Sequence, residues 1–365
     1  MIDWNDTAAS RHYEKKWLDL AAIFRASSLD VLENRDVILQ HLDAPGFECV
    51  YADRDSSCFE RATMYEALSY GDPSVLLSCP GPSLSGIVVR ELGSKAQQEY
   101  FFDHVSHTKA RTCMAVTEPG KGSDAGNPSS LLNQEQELCA EKWLVGNGRE
   151  ATMGTMVIRT GPGPFSIAVI LLTPEVLSHA RAYRQLLPVS ALQGAGLSHL
   201  YFDRVPLPEE AILGLHKRPL ERGMHAVIKT FYRMRPCVSA MALGSAQALL
   251  DAALPYLNQH EKKELHQTLQ SKLDVARQLN HRAAMCIDDQ IMDGSAVSLA
   301  KACATEIAEK IAVMLPQLVG TSVYLTDVWL QKIVSDIQGY EWMEGSIDMQ
   351  RLNIIHSRVQ SDKNH

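Results

Sequence analysis

The stretch that decides how this chain reads is Ala115-Val116-Thr117-Glu118-Pro119-Gly120-Lys121-Gly122-Ser123-Asp124. Apolar residues from Cys113 to Val116 run straight into a proline and two glycines, so a short strand ends and the chain turns at once. Gly120 and Gly122 permit a tight turn and close approach of backbone to a ligand. Their exposed N–H groups, beside the Thr117 and Ser123 hydroxyls, suit a flat polar cofactor edge or a phosphate. Residue chemistry alone is equally consistent with an ordinary strand-end turn. A second stretch, Glu341-Trp342-Met343-Glu344-Gly345-Ser346-Ile347-Asp348-Met349-Gln350-Arg351, sets a carboxylate just before Gly-Ser and a new helix, with Ser346 as its N-cap. Gly345 lets a substrate come close to the backbone there. Taken alone, Glu344 reads more often as a solvated loop acid than as a base.

Outward from these stretches, three blocks emerge. Residues 1–111 read as helical: Ala8 to Phe24, Asp36 to Leu42 and Phe59 to Ser69 carry apolar residues at helical offsets, separated by Ala44-Pro45-Gly46, Gly71-Asp72-Pro73 and Cys79-Pro80-Gly81-Pro82. Residues 112–218 read as a small β domain, with short β-branched and apolar runs at Cys113 to Thr117, Met156 to Thr160, Ser166 to Leu172 and His199 to Phe202. Residues 219–365 return to helix. Met224 to Leu257 carries Ala240, Ala242, Gly244, Ala246 and Ala248, which predicts close helix packing. Leu265, Leu269, Leu273 and Ala276 stripe the next helix, and Leu299, Cys303, Ile307, Ile311 and Met314 the one after. A last pair covers Tyr324 to Ile337 and Ile347 to Ile355. The expectation is a mainly α protein with a central small β domain and a C-terminal helical bundle.

Composition narrows the function. Over 365 residues, 45% are hydrophobic and 21% charged, as in ordinary globular proteins, and the formal charge of −8 argues against a general nucleic-acid binder. Met1 to Asp6 is polar and acidic, unlike a signal peptide, and the apolar stretch from Phe165 to Leu172 is too short to span a bilayer. No membrane association and a cytoplasmic location are therefore expected. The 8 cysteines are scattered without a CxxC pair and read as buried reduced thiols. His104 and His107 sit at helical spacing without further ligands, so no metal site is expected.

The two quoted stretches, in this order and embedded in a helix–β–helix chain, resemble the acyl-CoA dehydrogenase family. Phe202-Asp203-Arg204-Val205-Pro206 at the end of the β domain and Arg235-Pro236 in the following helix extend the resemblance over most of the chain. The resemblance implies an N-terminal helical domain, a β-barrel-like middle domain, a C-terminal four-helix bundle and an FAD cofactor. It places Ala115, Thr117, Gly122 and Ser123 at the flavin ring, with Ser123 also facing substrate. Trp143 and Val145, in Lys142-Trp143-Leu144-Val145, fall on the next flavin-contacting strand. Gln317, Gly320 and Thr321 resemble a segment that reaches the FAD of a neighbouring subunit, which implies a homodimer or homotetramer. Ser346 and Asp348 match further FAD contacts. Glu344 falls where the family places its catalytic base, Gly345 lies beside it at the substrate, and Arg235 matches an arginine on the pantetheine-nucleotide arm.

Departures from the family pattern are as informative. The family's Arg-x-x-Phe-Gly stretch is replaced by Leu257-Asn258-Gln259-His260-Glu261-Lys262-Lys263, where Lys262 or Lys263 supplies a point charge without an arginine's fork. Thr321 stands where a paired glycine is usual, Tyr232 where an acid is common in enzymes using CoA, and Val145 where a hydroxyl is frequent. In these respects the chain is similar to the subgroup of polyketide and nonribosomal peptide pathways, which implies a short acyl or aminoacyl group on an acyl carrier protein as substrate. Lys217, Arg218, Arg222, Lys229, Arg233 and Arg235, against the single acid Glu221, form a basic strip that suits a phosphopantetheine arm or an acidic carrier, and equally a solvated helix face. A CoA thioester as substrate and an electron-transfer flavoprotein as acceptor are the companion expectations. A flavin monooxygenase or a flavin-free scaffold on the same fold are the alternatives.

Overall fold

The computed structural model describes residues 12–163, 166–291 and 293–363, so Met1 to Asp6, Ala8 and Phe165, cited above, lie outside the described residues. The N-terminal block is built from helices α1 (Lys15–Ala26), α2 (Cys58–Gly71), α3 (Pro73–Ser78), α4 (Ser83–Leu92) and α5 (Lys95–Thr108). Polar residues start three of them: Ser57 and Glu60 close a capping box on α2, Ser94 and Gln97 another on α5, and Asp72 caps α3 ahead of a proline at its first turn. The run expected as helix from Asp36 forms a 3₁₀ helix, Arg35–His41.

Among the described residues seven strands follow: β1 (Thr112–Ala115), β2 (Leu131–Leu132), β3 (Glu137–Val145), β4 (Met153–Arg159), β5 (Ile167–Leu172), β6 (Ala182–Leu186) and β7 (Ser198–Pro206). They make one mixed sheet in the order β1-β4-β2-β3-β7-β6, with β5 on the other side of β4. Two short strands share one edge of β4: β1 pairs with Met153 to Met156 and β2 with Arg159. Between them the chain leaves the sheet, and this excursion is the Thr117 to Asp124 loop. The core of this layer is Ala115, Leu138, Met156, Ile158, Leu172, Leu200 and Phe202.

The C-terminal block holds α6 (Met224–Ala253), α7 (His260–Asp288), α8 (Gly294–Val319), α9 (Thr321–Thr326), α10 (Val328–Gly339) and α11 (Ile347–Lys363). The alanine-rich run of α6 packs on α2 so closely that a Cβ on Gly244 would lie 2.0 Å from the Glu66 carbonyl oxygen. The segment Pro219–Tyr256 contains an 18-residue window apolar enough to cross a membrane, but 89% of that window is buried within the protein. On α7 the stripe of Leu269, Leu273 and Ala276 is buried as expected. On α8 the expectation needs correcting. Leu299 is 40% exposed, and the buried face is made largely of small residues, Ala300, Ala304 and Ala308, beside Ile307 and Ile311. Periodicity counted large residues, whereas a helix wedged between neighbours buries its small ones.

Buried charges tie the first block to the last. Arg277 on α7 meets Glu66 on α2 at 2.6 Å, and Lys332 on α10 meets Asp72 at 2.6 Å and Asp336 at 2.8 Å. Pairs sealed this way hold orientation more than they add stability, because each ion surrenders its water. The cysteines are all free. Four are buried, three partly so, and Cys49 is exposed, which corrects the expectation that all are buried.

Candidate functional site

The Thr117 loop is anchored from below. Lys142 on β3 is completely buried, and its Nζ donates to Glu118 Oε1 at 2.8 Å and to the Val116 carbonyl at 3.1 Å. Glu118 also accepts from the backbone N–H groups of Ser129 (2.6 Å) and Ser130 (2.9 Å). Burial on its own pushes the Glu118 carboxyl up; the Lys142 hydrogen bond and the two amides overcome it and hold it down at about 2. Glu118 is therefore a locked anion that fixes both ends of the loop.

A β-bulge then aims Trp143. The β3–β7 register slips between Lys142 and Val145, and Leu144 has φ +55°. Released from β7, the Trp143 N–H donates to the Thr117 carbonyl at 2.9 Å. One face of the indole rests on His199, ring centres 4.9 Å apart, and its buried Nε1 has no hydrogen-bond partner among the described residues. Above it, a Cβ at Gly120 or Gly122 would meet nothing within 4 Å, and Ser123 is exposed. Thr117, Gly122, Ser123 and Trp143 thus share one loop-and-strand unit with an open side. Ala115 and Val145 share it through their backbones only, since both side chains lie in the apolar core of the sheet.

The Glu344 loop is held on the helical side. Glu344 has φ +56° and Gly345 φ +92°, two consecutive left-handed residues. A carboxylate residue in that region costs on the order of 1–3 kcal/mol and persists only where its surroundings over-determine it. They do so here. The Glu344 carbonyl accepts from Arg235 Nε (3.1 Å) and Gln350 Nε2 (3.2 Å), and the Gly345 carbonyl from Lys301 Nζ (2.9 Å) and Gln350 Nε2 (3.0 Å). Lys301 also donates to the Glu341 carbonyl at 3.2 Å. All these donors hold backbone, so Glu344 Oε2 is buried without a hydrogen-bond partner among the described residues. Burial pushes the Glu344 carboxyl up to about 7, against the opposing pull of Arg235 and Lys301. Burial likewise brings Lys301 down to about 8.

The structure adds a contact for Arg235. Expected on the substrate arm, it is buried against the base loop, with Nη1 lacking a partner among the described residues. The basic strip divides accordingly: Lys229 and Arg233 face Glu91 (3.2 and 3.6 Å), Arg235 points inward, and Lys217, Arg218 and Arg222 remain at the surface. Ser346 Oγ accepts from the Met349 N–H at 3.4 Å, the expected N-cap, and Asp348 is exposed beside Arg351. Gln317 and Thr321 are exposed, and Gly320 has φ +93° with open space around it. They stand at the α8–α9 junction, apart from the Thr117 and Glu344 loops. Lys262, considered as a stand-in for the missing arginine, donates to the Leu318 carbonyl at 2.9 Å and so tethers that junction. Glu118, Lys142 and Lys301 were given no role in the sequence. The first two stand inside the quoted motifs, while nothing local marks Lys301, whose partners are 40 and 44 residues away.

Comparison with known proteins now adds a name to this geometry. Residues 113–205 match the acyl-CoA dehydrogenase middle domain and residues 221–359 the acyl-CoA dehydrogenase C-terminal domain, together more than half of the chain. The mitochondrial short-chain specific acyl-CoA dehydrogenase of Rattus norvegicus is 28% identical over 295 residues, covering 75% of this chain and 69% of that protein. Butyryl-CoA dehydrogenase from Megasphaera elsdenii has the same fold, with a TM-score of 0.81 at 19% identity over 98% of this chain and 100% of that one. The FAD complex of PigA superposes with a TM-score of 0.78 at 17% identity over 94% and 97%. With both domain matches falling on the two loops described above, the chain belongs to the acyl-CoA dehydrogenase family of flavin oxidoreductases.

Proposed function

We propose that this chain is an FAD-dependent dehydrogenase of short acyl thioesters, with Glu344 as the base that removes the α-proton. One observation carries the reading: a carboxylate held by its backbone in a left-handed turn, with its own oxygen buried and unpartnered. A structural acid in such a loop is paired through its own oxygens, as Glu118 is with Lys142. A base must instead keep a lone pair available and a pKa near the working pH.

The residues present fit the cofactor. The orphaned Trp143 Nε1, the Thr117 hydroxyl and the side-chain-free rim at Gly120 and Gly122 offer donors and room to a flat heteroaromatic ring. Bound FAD would accept the hydride leaving the β-carbon. The protein's own work is to exclude water around Glu344, which sets its basicity, and to hold the carboxylate oxygen at one position while the α C–H is offered to it. Arg235, Gln350 and Lys301 do the holding through backbone carbonyls.

The finer reading is that the acyl or aminoacyl group rides on an acyl carrier protein in polyketide or nonribosomal peptide extender-unit biosynthesis. Support comes from Lys217, Arg218 and Arg222, exposed or partly exposed just before α6 and suited to an acidic carrier surface. The companion reading, a CoA thioester, is supported by the short-chain acyl-CoA dehydrogenase relative. A cytoplasmic homo-oligomer passing electrons to an electron-transfer flavoprotein completes the proposal. Exposed Gln317 and Thr321, beside apolar Val313 (70% exposed) and Leu325 (65%), support subunit contact there. The test is to incubate FAD-loaded protein with matched acyl-carrier-protein and acyl-CoA substrates and follow loss of two mass units. Desaturation of the carrier-bound form alone supports the carrier; of the CoA form alone, the companion. Desaturation of neither overturns the dehydrogenase reading.

A further inference from the structure

A charged cavity lies between α2, α4, α6 and the end of α7. It encloses about 190 Å³ and is lined by Arg61 from α2, Arg90 from α4 and Arg233 from α6, with Asp288 and Ile287 at the end of α7. Guanidiniums from three helices converge here, in a protein whose formal charge is −8. Two of the carboxylates nearby are already committed. Asp288 accepts from the N–H groups of Cys58 (2.7 Å) and Phe59 (2.9 Å), and Asp53 from Arg61 Nε (2.9 Å) and Ser56 Oγ (2.6 Å). Glu91 reaches Arg233 only at 3.6 Å, and Arg233 Nε is buried with no hydrogen-bond partner among the described residues. The Arg90 guanidinium is partly exposed, feels the charges of Asp53 and Asp55, and lies over the Phe102 ring at 5.7 Å.

Like charges gathered in a half-enclosed space repel one another, and the buried Arg233 Nε left without a partner among the described residues adds to that cost. An oxyanion removes both penalties at once. Arginine's planar fork matches carboxylate and phosphate oxygens with paired hydrogen bonds. We propose that the Arg61–Arg90–Arg233 cavity is a binding site for a small oxyanion, a carboxylate or a phosphate group, separate from the Glu344 loop. Arg61 forms its rigid floor, and Arg90 and Arg233 supply the free donors. The site does not depend on the flavin reading, so the two stand or fall separately.

The experiment is calorimetric titration of the purified full chain with glutarate and with inorganic phosphate, repeated on R90Q and R233Q. Both variants are at partly exposed positions, and their thermal unfolding is recorded first. Saturable binding of one probe with a Kd of about 1 mM or tighter, weakened about tenfold or more by each substitution, is the expected result. Tighter binding of glutarate assigns the oxyanion to a carboxylate; tighter binding of phosphate assigns it to a phosphate group. No saturable binding of either probe, or binding that both folded variants retain unchanged, overturns the proposal.

Discussion

Two loops of this molecule carry an acid beside a buried lysine, and they treat the acid in opposite ways. On the sheet side, Lys142 bonds the Glu118 carboxylate itself, two amides add to it, and the acid is held ionised with a pKa of about 2. On the helical side, Lys301 bonds only the backbone carbonyls of Glu341 and Gly345, and Glu344 rises to about 7. The same pair of residue types gives a rivet in one place and a proton acceptor in the other. What separates them is whether the cation touches the side chain or the main chain.

If that contrast is right, the largest effect comes from removing the free acid. Glu344→Gln keeps shape and loop geometry but loses the lone pair, so turnover falls about 10²–10⁴-fold while FAD content stays as in the parent. Turnover within about threefold of the parent breaks the contrast on its functional side. The rivet shows itself in stability instead. Glu118→Ala leaves Lys142 buried without its anion and costs about 3–5 kcal/mol in denaturant unfolding, with loss of FAD retention as the loop comes free. A change under about 1 kcal/mol means Glu118 is not the anchor.

The third effect is a pH dependence. Glu344 binds its proton more tightly folded than unfolded, so between about pH 4.5 and 7 folding takes up a proton and stability declines as pH rises. Below the unfolded pKa the acid is neutral in both states; above about 7 its buried charge costs on the order of 3 kcal/mol. Glu344→Gln lacks this ionisation. Its unfolding midpoint relative to the parent therefore climbs from pH 4.5 to 7 and then levels, and a constant difference across that window contradicts the assignment. The smallest effect comes from the clamp. Lys301→Met frees two carbonyls and removes a charge that favours the carboxylate. The rate falls about 10–100-fold and the acid limb of the pH–rate profile moves to higher pH. An unshifted limb makes Lys301 a packing residue only.

Much of this was legible in the sequence. The helix–β–helix order followed from periodicity and turn residues, and Ser346 read correctly as a cap because capping is local chemistry. Strands β2 and β6 were missed: one is two residues long, and the other, Ala182–Leu186, is largely exposed and shows no apolar alternation. The contact of Arg235 with the Glu344 loop went unread because motif position says nothing of where a long side chain turns; it spans 109 residues. Lys301 was invisible for the same reason. The ordinary loop acid and the base look alike in sequence, since what distinguishes them is the burial and backbone bonding that distant helices supply.

The central claim is that Glu344 is a base tuned by burial, and the direct measurement is the anaerobic rate of flavin reduction by a saturating short acyl thioester as a function of pH. The rate should rise with pH through an apparent pKa of about 7 and reach a plateau. A rate that stays flat down to about pH 5, as an ordinary solvated carboxylate would give, contradicts it.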